Sequence, residues 1–147
     1  MRNKQGYISK ERVRKFAEVF TPDHIVNEMV DNVENECPNT LRNGTVLEPA
    51  CGEGPFLQNI LIRKLIYGVP PTEALKTLYG VELLEDNVAL CRQRLLEIAG
   101  DTPEHREILN KNIVQGDFLK DLDTIVFYDW KNNTTSTLRQ CMEENKC

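Results

Sequence analysis

Thr45-Val-Leu-Glu-Pro-Ala-Cys-Gly-Glu-Gly-Pro-Phe-Leu57 joins a short strand signal to a tight glycine turn and then to the start of a helix. In an open α/β sheet this junction is where a nucleotide-like ligand binds. A loop built for pyrophosphate offers backbone N–H groups at a helix N-terminus and avoids carboxylates, which repel phosphates. This loop carries two, Glu48 and Glu53, and Leu57 stands where the third glycine of G-x-G-x-x-G would be. It therefore suits a ligand with a cationic end, and S-adenosylmethionine, with its sulfonium and ammonium, meets that description. The alternative is that Gly52 and Gly54 only shape a turn.

Outward from the loop, strands and helices alternate. Ile25, Val26, Met29, Val30 and Val33 predict a helix over 23–34, with Thr21 as N-cap and Pro22 at the first helical position. A loop over 37–44 precedes the first strand at 45–47. Phe56, Leu57, Ile60, Leu61, Leu65 and Ile66 form the stripe of the next helix, which ends near Gly68. A short helix over 72–76, a second strand over 78–82 and a helix carrying Val88, Cys91, Leu95 and Ile98 follow. A short helix or turn at 105–109 leads to a third strand at 113–115, and 124–128 reads as a fourth. The polar stretch after it holds an Asn132-Asn133 turn and room for a short helix capped by Ser136 or Thr137. This alternation predicts a single α/β domain over 1–147, Rossmann-like, with about four parallel strands and helices on both faces. Residues 1–17 form a basic N-terminal segment and 131–147 a polar C-terminal tail. Glu48, Glu82 and Asp117 follow three successive strand signals and would converge on one crevice.

At 147 residues the chain can bury roughly two thirds of its unfolded surface without staples. With 40% hydrophobic and 28% charged residues and a net charge of −5, it does not have the composition of a disordered chain. No apolar run approaches membrane-spanning length and no hydrophobic segment follows Met1-Arg-Asn-Lys-Gln, so a cytoplasmic location is expected. Cys37, Cys51, Cys91, Cys141 and Cys147 form no C-x-x-C pair and no zinc spacing with His24 or His105, and they read as reduced thiols. Cys91 falls on an apolar helix face, and Cys51 reads as a small packing residue rather than a nucleophile. Arg2, Lys4, Lys10, Arg12, Arg14 and Lys15 oppose only Glu11, so the first fifteen residues could lie along phosphates or simply be a solvated segment.

Each acid has a candidate role and a plainer one. Glu82, at the end of the second strand, is placed to accept hydrogen bonds from both ribose hydroxyls, or to cap the helix that starts nearby. Asp117 could accept from an adenine amine with Phe118 as an apolar wall, or close an Asx-turn after Gly116.

Taken together these segments resemble the cofactor-binding half of the adenine-N6 DNA methyltransferases of restriction-modification systems, over about 18–118. Glu-Val-Phe-Thr-Pro (18–22) resembles the family's N-terminal motif, which implies that Phe20, Thr21 and Pro22 lie against the methionine part of S-adenosylmethionine. Leu-Glu-Pro-Ala-Cys-Gly-Glu-Gly-Pro-Phe-Leu (47–57) resembles its glycine motif. That implies cofactor contacts from Glu48, Pro49, Ala50, Cys51, Gly52 and Gly54, with Glu48 near the ammonium. Tyr-Gly-Val-Glu-Leu (79–83) and Gly-Asp-Phe-Leu (116–119) resemble the ribose and adenine motifs, bringing in Glu82, Leu83, Asp117 and Phe118.

The chain departs from the family where chemistry should begin. The family carries Asn/Asp-Pro-Pro-Tyr/Phe after the fourth strand, to hold the target amine and stack on the flipped base. Here the strand runs Asp123-Thr-Ile-Val-Phe-Tyr-Asp-Trp130, without Pro-Pro. Asp129 could accept from an amine and Trp130 could stack, but a solvated turn accounts for both more simply. No catalytic residue and no metal ligand is therefore assigned. One account is a split enzyme that reaches DNA through a fuller assembly. An apolar edge at 125–127 would then pair with a partner methylase or specificity chain, or with a second copy. Another account is a non-catalytic module that binds S-adenosylmethionine. A nicotinamide-dependent oxidoreductase is disfavoured by Glu53 and by the missing third glycine.

Overall fold

The computed structural model describes residues 21–144. Its centre is a parallel sheet of β1 (Val46–Glu48), β2 (Leu78–Glu82) and β3 (Ile113–Gln115), in the order β1-β2-β3, with Val46 opposite Leu78 and Gly80 opposite Ile113. The connections are α2 (Pro55–Ile66) and α3 (Pro71–Lys76) between β1 and β2, then α4 (Glu85–Ala99) and α5 (Pro103–Asn112) between β2 and β3. α1 (Asp23–Glu36) precedes them and leads into a 3-10 turn at Pro38–Leu41.

Side chains alternate across a strand, so each strand serves two cores. Val46, Leu78 and Ile113 face the helices, where Val26, Val30, Leu57, Leu61, Leu75, Leu95 and Leu109 complete the larger core. Leu47, Tyr79, Val81 and Val114 face the other way. β2 is buried on both faces, as expected for the middle strand of a parallel sheet.

Two expectations about the second face are corrected. The fourth strand does not extend the parallel sheet: β4 (Val126–Asp129) starts two residues later than expected and pairs antiparallel with β5 (Thr134–Thr137), Phe127 opposite Ser136. The reason is length. Only residues 116–125 separate β3 from β4, wound into turns by bonds such as Ile125 N–H to Asp121 O at 3.0 Å, whereas a parallel crossover takes about a dozen residues or more. A short loop does allow a hairpin, and Asn133 takes the left-handed conformation it needs, at φ 54°.

The second face is therefore covered by this hairpin and by α6 (Leu138–Glu143), not by crossover helices. Thr137, one of the two expected caps, closes a capping box with Gln140 at the start of α6. The apolar stretch at 125–127 is not a bare edge either. Val126 and Phe127 are paired in the hairpin, and Phe127 is buried edge-on against Tyr79, ring centroids 5.1 Å apart.

At α1 the cap falls one residue later than expected. Pro22 is the N-cap, and its carbonyl accepts from the N–H of Ile25 and Val26. Cys51, Cys91 and Cys141 are free thiols, as expected, whereas Cys37 is disulfide-bonded and corrects the reading of that residue. No described helix is long and apolar enough to cross a membrane.

Candidate site at the carboxyl ends of the strands

β1 ends on Glu48, β2 ends on Glu82, and Asp117 lies just beyond β3. Glu48 lies opposite Gly80 and Glu82 opposite Gln115, so the three acids form a stepped row at one end of the sheet, each two residues further along than the one before. The glycine loop is fastened beside that row by the Cys51 N–H, which donates to Val81 O at 3.0 Å.

The two loop glycines differ. Both take left-handed conformations, Gly52 at φ 55° and Gly54 at φ 87°. A Cβ on Gly54 would come within 2.6 Å of the Cys91 sulfur, so this glycine lets the start of α2 press against α4. A Cβ on Gly52 would meet only Glu82 Oε2, at 3.8 Å, with no other described group beyond its chain neighbours within 4 Å. Gly52 thus leaves an open cradle whose nearest wall is the carboxylate of Glu82.

The acids are held to different degrees. Glu48 accepts from the Ala50 N–H at 3.2 Å, and burial pushes its carboxyl pKa up, a rise that this one bond only partly offsets. Glu82 accepts from the Leu84 N–H at 3.3 Å through Oε1, which leaves Oε2 toward Gly52. Leu83, beside it, is exposed. Asp117 Oδ1 accepts from the N–H of Leu119 at 2.9 Å and of Lys120 at 3.2 Å, the turn geometry weighed as its plainer role. Phe118 packs against the core of Tyr79, Val81, Phe127 and Leu138.

Glu53 behaves unlike the others. It is only 9% exposed and forms a salt bridge with Arg94 of α4 at 2.8 Å. Its charge is compensated within the protein, whereas Glu48 and Glu82 form no salt bridge among the described residues. Arg94 was not legible from the loop. It lies three residues after Cys91 on the same helix face, and its role emerges only once Cys91 packs on Gly54.

Cys51 is a packing residue. Its thiol hydrogen-bonds with Cys91, and that bond, burial and the nearby charges of Glu82 and Glu48 all hold its pKa far above the ordinary thiol value.

The start of α1 belongs to this end of the molecule. Asn27 pairs with Asn59, Asp31 with Arg63 and Glu34 with Tyr67, so α1 and α2 run parallel in step. Thr21 and Pro22, ahead of α1, therefore lie at the same end of the pair as the glycine loop ahead of α2. Phe20 lies outside the described residues.

Asp129 and Trp130 carry structural bonds. Asp129 accepts from the N–H of Lys131 at 2.9 Å and of Asn132 at 3.1 Å, and the Trp130 indole donates to the buried Asn112 at 2.9 Å. Asp129 thus builds the turn expected after the strand, whereas Trp130 packs against the core and is not part of a solvated turn. His105 is likewise internal, between Gly100 O at 2.7 Å and the Thr72 hydroxyl at 2.8 Å, and the described residues hold no cluster fit for a metal ion.

The chain is thus of the α/β class, with a parallel sheet and a glycine loop, and its acids stand where open α/β sheets commonly bind ligands. Within that class this chain belongs to the N-6 DNA methylase family, whose model matches residues 6–127. The match ends inside β4, so β5 and α6 lie beyond it. No curated protein and no solved structure matches the chain.

Proposed function

We propose that the crevice binds S-adenosylmethionine and that the chain is the cofactor-binding part of an adenine-N6 DNA methyltransferase acting in the cytoplasm. The three-stranded sheet is compatible with a Rossmann-like methyltransferase core. The observation that carries the reading is the pairing of the open cradle at Gly52 with the carboxylates of Glu48 and Glu82. A half-buried carboxylate with one hydrogen bond is costly, and an ammonium beside Glu48 would offset that cost. Glu82 Oε2 would accept from the ribose hydroxyls, the free oxygen of Asp117 from the adenine amine, and Thr21-Pro22 would close over the methionine. Pro49, Ala50, Cys51 and Leu83 would contribute loop and strand-end contacts. When bound, the cofactor supplies an electrophilic methyl group on its sulfonium.

Methyl transfer also needs the acceptor nitrogen held in line with that sulfonium. The residues in the corresponding stretch, Asp129 and Trp130, are engaged in the hairpin turn and the core. We therefore read the chain as one that methylates DNA only with a further segment or partner chain. The same engagement favours a second reading, a module that binds the cofactor and regulates a methylase.

Calorimetric titration tests the binding. S-adenosylmethionine should bind, with Glu82→Gln weakening it roughly tenfold to a hundredfold, and NAD should not. Binding of NAD without S-adenosylmethionine would overturn the assignment. Methyl incorporation into duplex DNA by the isolated chain would remove the regulatory reading.

A further inference from the structure

Gly52 and Gly54, both left-handed, stand on either side of Glu53 in the glycine loop. Glycine enters that region about as readily as its mirror image, so the two glycines permit the shape of the loop without fixing it. Bonds have to fix it. The Gly54 N–H donates to Cys51 O at 2.8 Å and closes the turn, and the Cys51 N–H ties that turn to Val81 O on β2. The Gln58 side-chain amide, on α2, donates to Glu53 O at 3.2 Å. From α4 the Arg94 guanidinium donates to Glu53 Oε2 at 2.8 Å. This last bond joins two full charges, and the Glu53 side chain is only 11% exposed, so the pair is partly shielded from water. It also refers the loop to the helix that holds the other wall of the crevice. A Cβ on Gly52 would meet Glu82 Oε2, and α4 begins at Glu85, just beyond Glu82.

We propose that Arg94 is a positioning residue of the candidate site: its ion pair with Glu53 braces the glycine loop against α4 and holds the Gly52 cradle in place beside Glu82 before a ligand arrives. Arg94 acts through Glu53 and the backbone of the loop. A loop already ordered loses less conformational freedom on binding, so the brace raises affinity by preorganisation. The consequence for S-adenosylmethionine rests on the cofactor reading above. The bracing of the loop does not.

The test compares the intact chain with Arg94→Met, which keeps an unbranched apolar stem, with Arg94→Lys, with Glu53→Gln and with the double variant of Arg94→Met and Glu53→Gln. Without ligand, amide exchange at Cys51 and Gly54 should quicken about tenfold in Arg94→Met, while Leu95, buried on α4, keeps its rate. In calorimetry Arg94→Met should weaken S-adenosylmethionine about fivefold, Arg94→Lys should retain most of the affinity, and the double variant should bind no worse than either single one. S-adenosylhomocysteine, which lacks the sulfonium charge, should weaken by the same factor, because the brace acts through geometry. Unchanged exchange at Cys51 and Gly54, equal quickening at Leu95, or additive losses in the double variant would overturn the proposal. Tighter binding of S-adenosylmethionine with S-adenosylhomocysteine unchanged would overturn it too, since Arg94 would then act only by neutralising charge. Failure of the unaltered chain to bind either ligand removes the cofactor reading and leaves the exchange rates to decide the brace.

Discussion

At β3 a cation lies on the strand itself, whereas at β1 the cation holds the chain ahead of the strand. Arg92 caps the carbonyl of Ile113, while Lys64, fully buried, donates to Arg42 O at 2.9 Å and Gly44 O at 2.8 Å. Both satisfy carbonyls that would otherwise be orphaned in the interior. Only the first reaches a strand of the sheet, where it covers the Ile113 carbonyl and leaves the exposed Gln115 beyond it.

The sharpest test of this asymmetry is core truncation. Ile113→Ala, on β3 and fully buried, should lose about 2–5 kcal/mol in urea unfolding, and Leu47→Ala, half-buried on β1, clearly less. Equal losses would mean that the β1 edge is as well packed as β3.

The glycine loop at the end of β1 gives the next contrast. Gly54→Ala meets both the strain of a left-handed backbone and the Cys91 sulfur, and should cost about 2–4 kcal/mol of stability. Gly52→Ala meets the strain alone. It should cost about 1 kcal/mol in thermal unfolding while weakening cofactor binding in calorimetry.

The third comparison is pH. Burial pushes the Lys64 ammonium down to about 8 from the ordinary 10.5, so its desolvation penalty is fully present below about pH 8. Between those values the unfolded chain holds the proton that the native chain releases, and stability rises with pH. The rise should be on the order of 2 kcal/mol relative to a Lys64→Met reference followed by denaturant titration from pH 7 to 10. A parallel pair of curves would show that burial does not tax the ammonium. Least of all, Arg92→Met should cost about 1 kcal/mol, with faster amide exchange in β3. Unchanged exchange would mean that the guanidinium does not protect that edge.

Much of the scaffold was legible because its signals are local. The 3.6-residue stripes of α1, α2 and α4 and the three short parallel strands follow from apolar periodicity and punctuation by glycine and proline. The fourth strand was visible as a strand but not as a hairpin. The apolar run Ile125-Val-Phe127 suits either pairing, and the deciding quantity is how far the chain from β3 must travel. At the site, the positions of Glu48, Glu82 and Asp117 were readable from strand ends. The compensation of Glu53 by Arg94 was not, since these residues are far apart in the chain and meet only when α4 packs on the glycine loop.

The sequence by itself determined the family, the parallel sheet and the acids at its carboxyl end, all of which depend on neighbours within a turn or a strand. Only the tertiary structure decided that Glu53 is compensated by Arg94 and that the hairpin covers the second face. Those outcomes depend on contacts between distant segments, where packing and connection length override local preference.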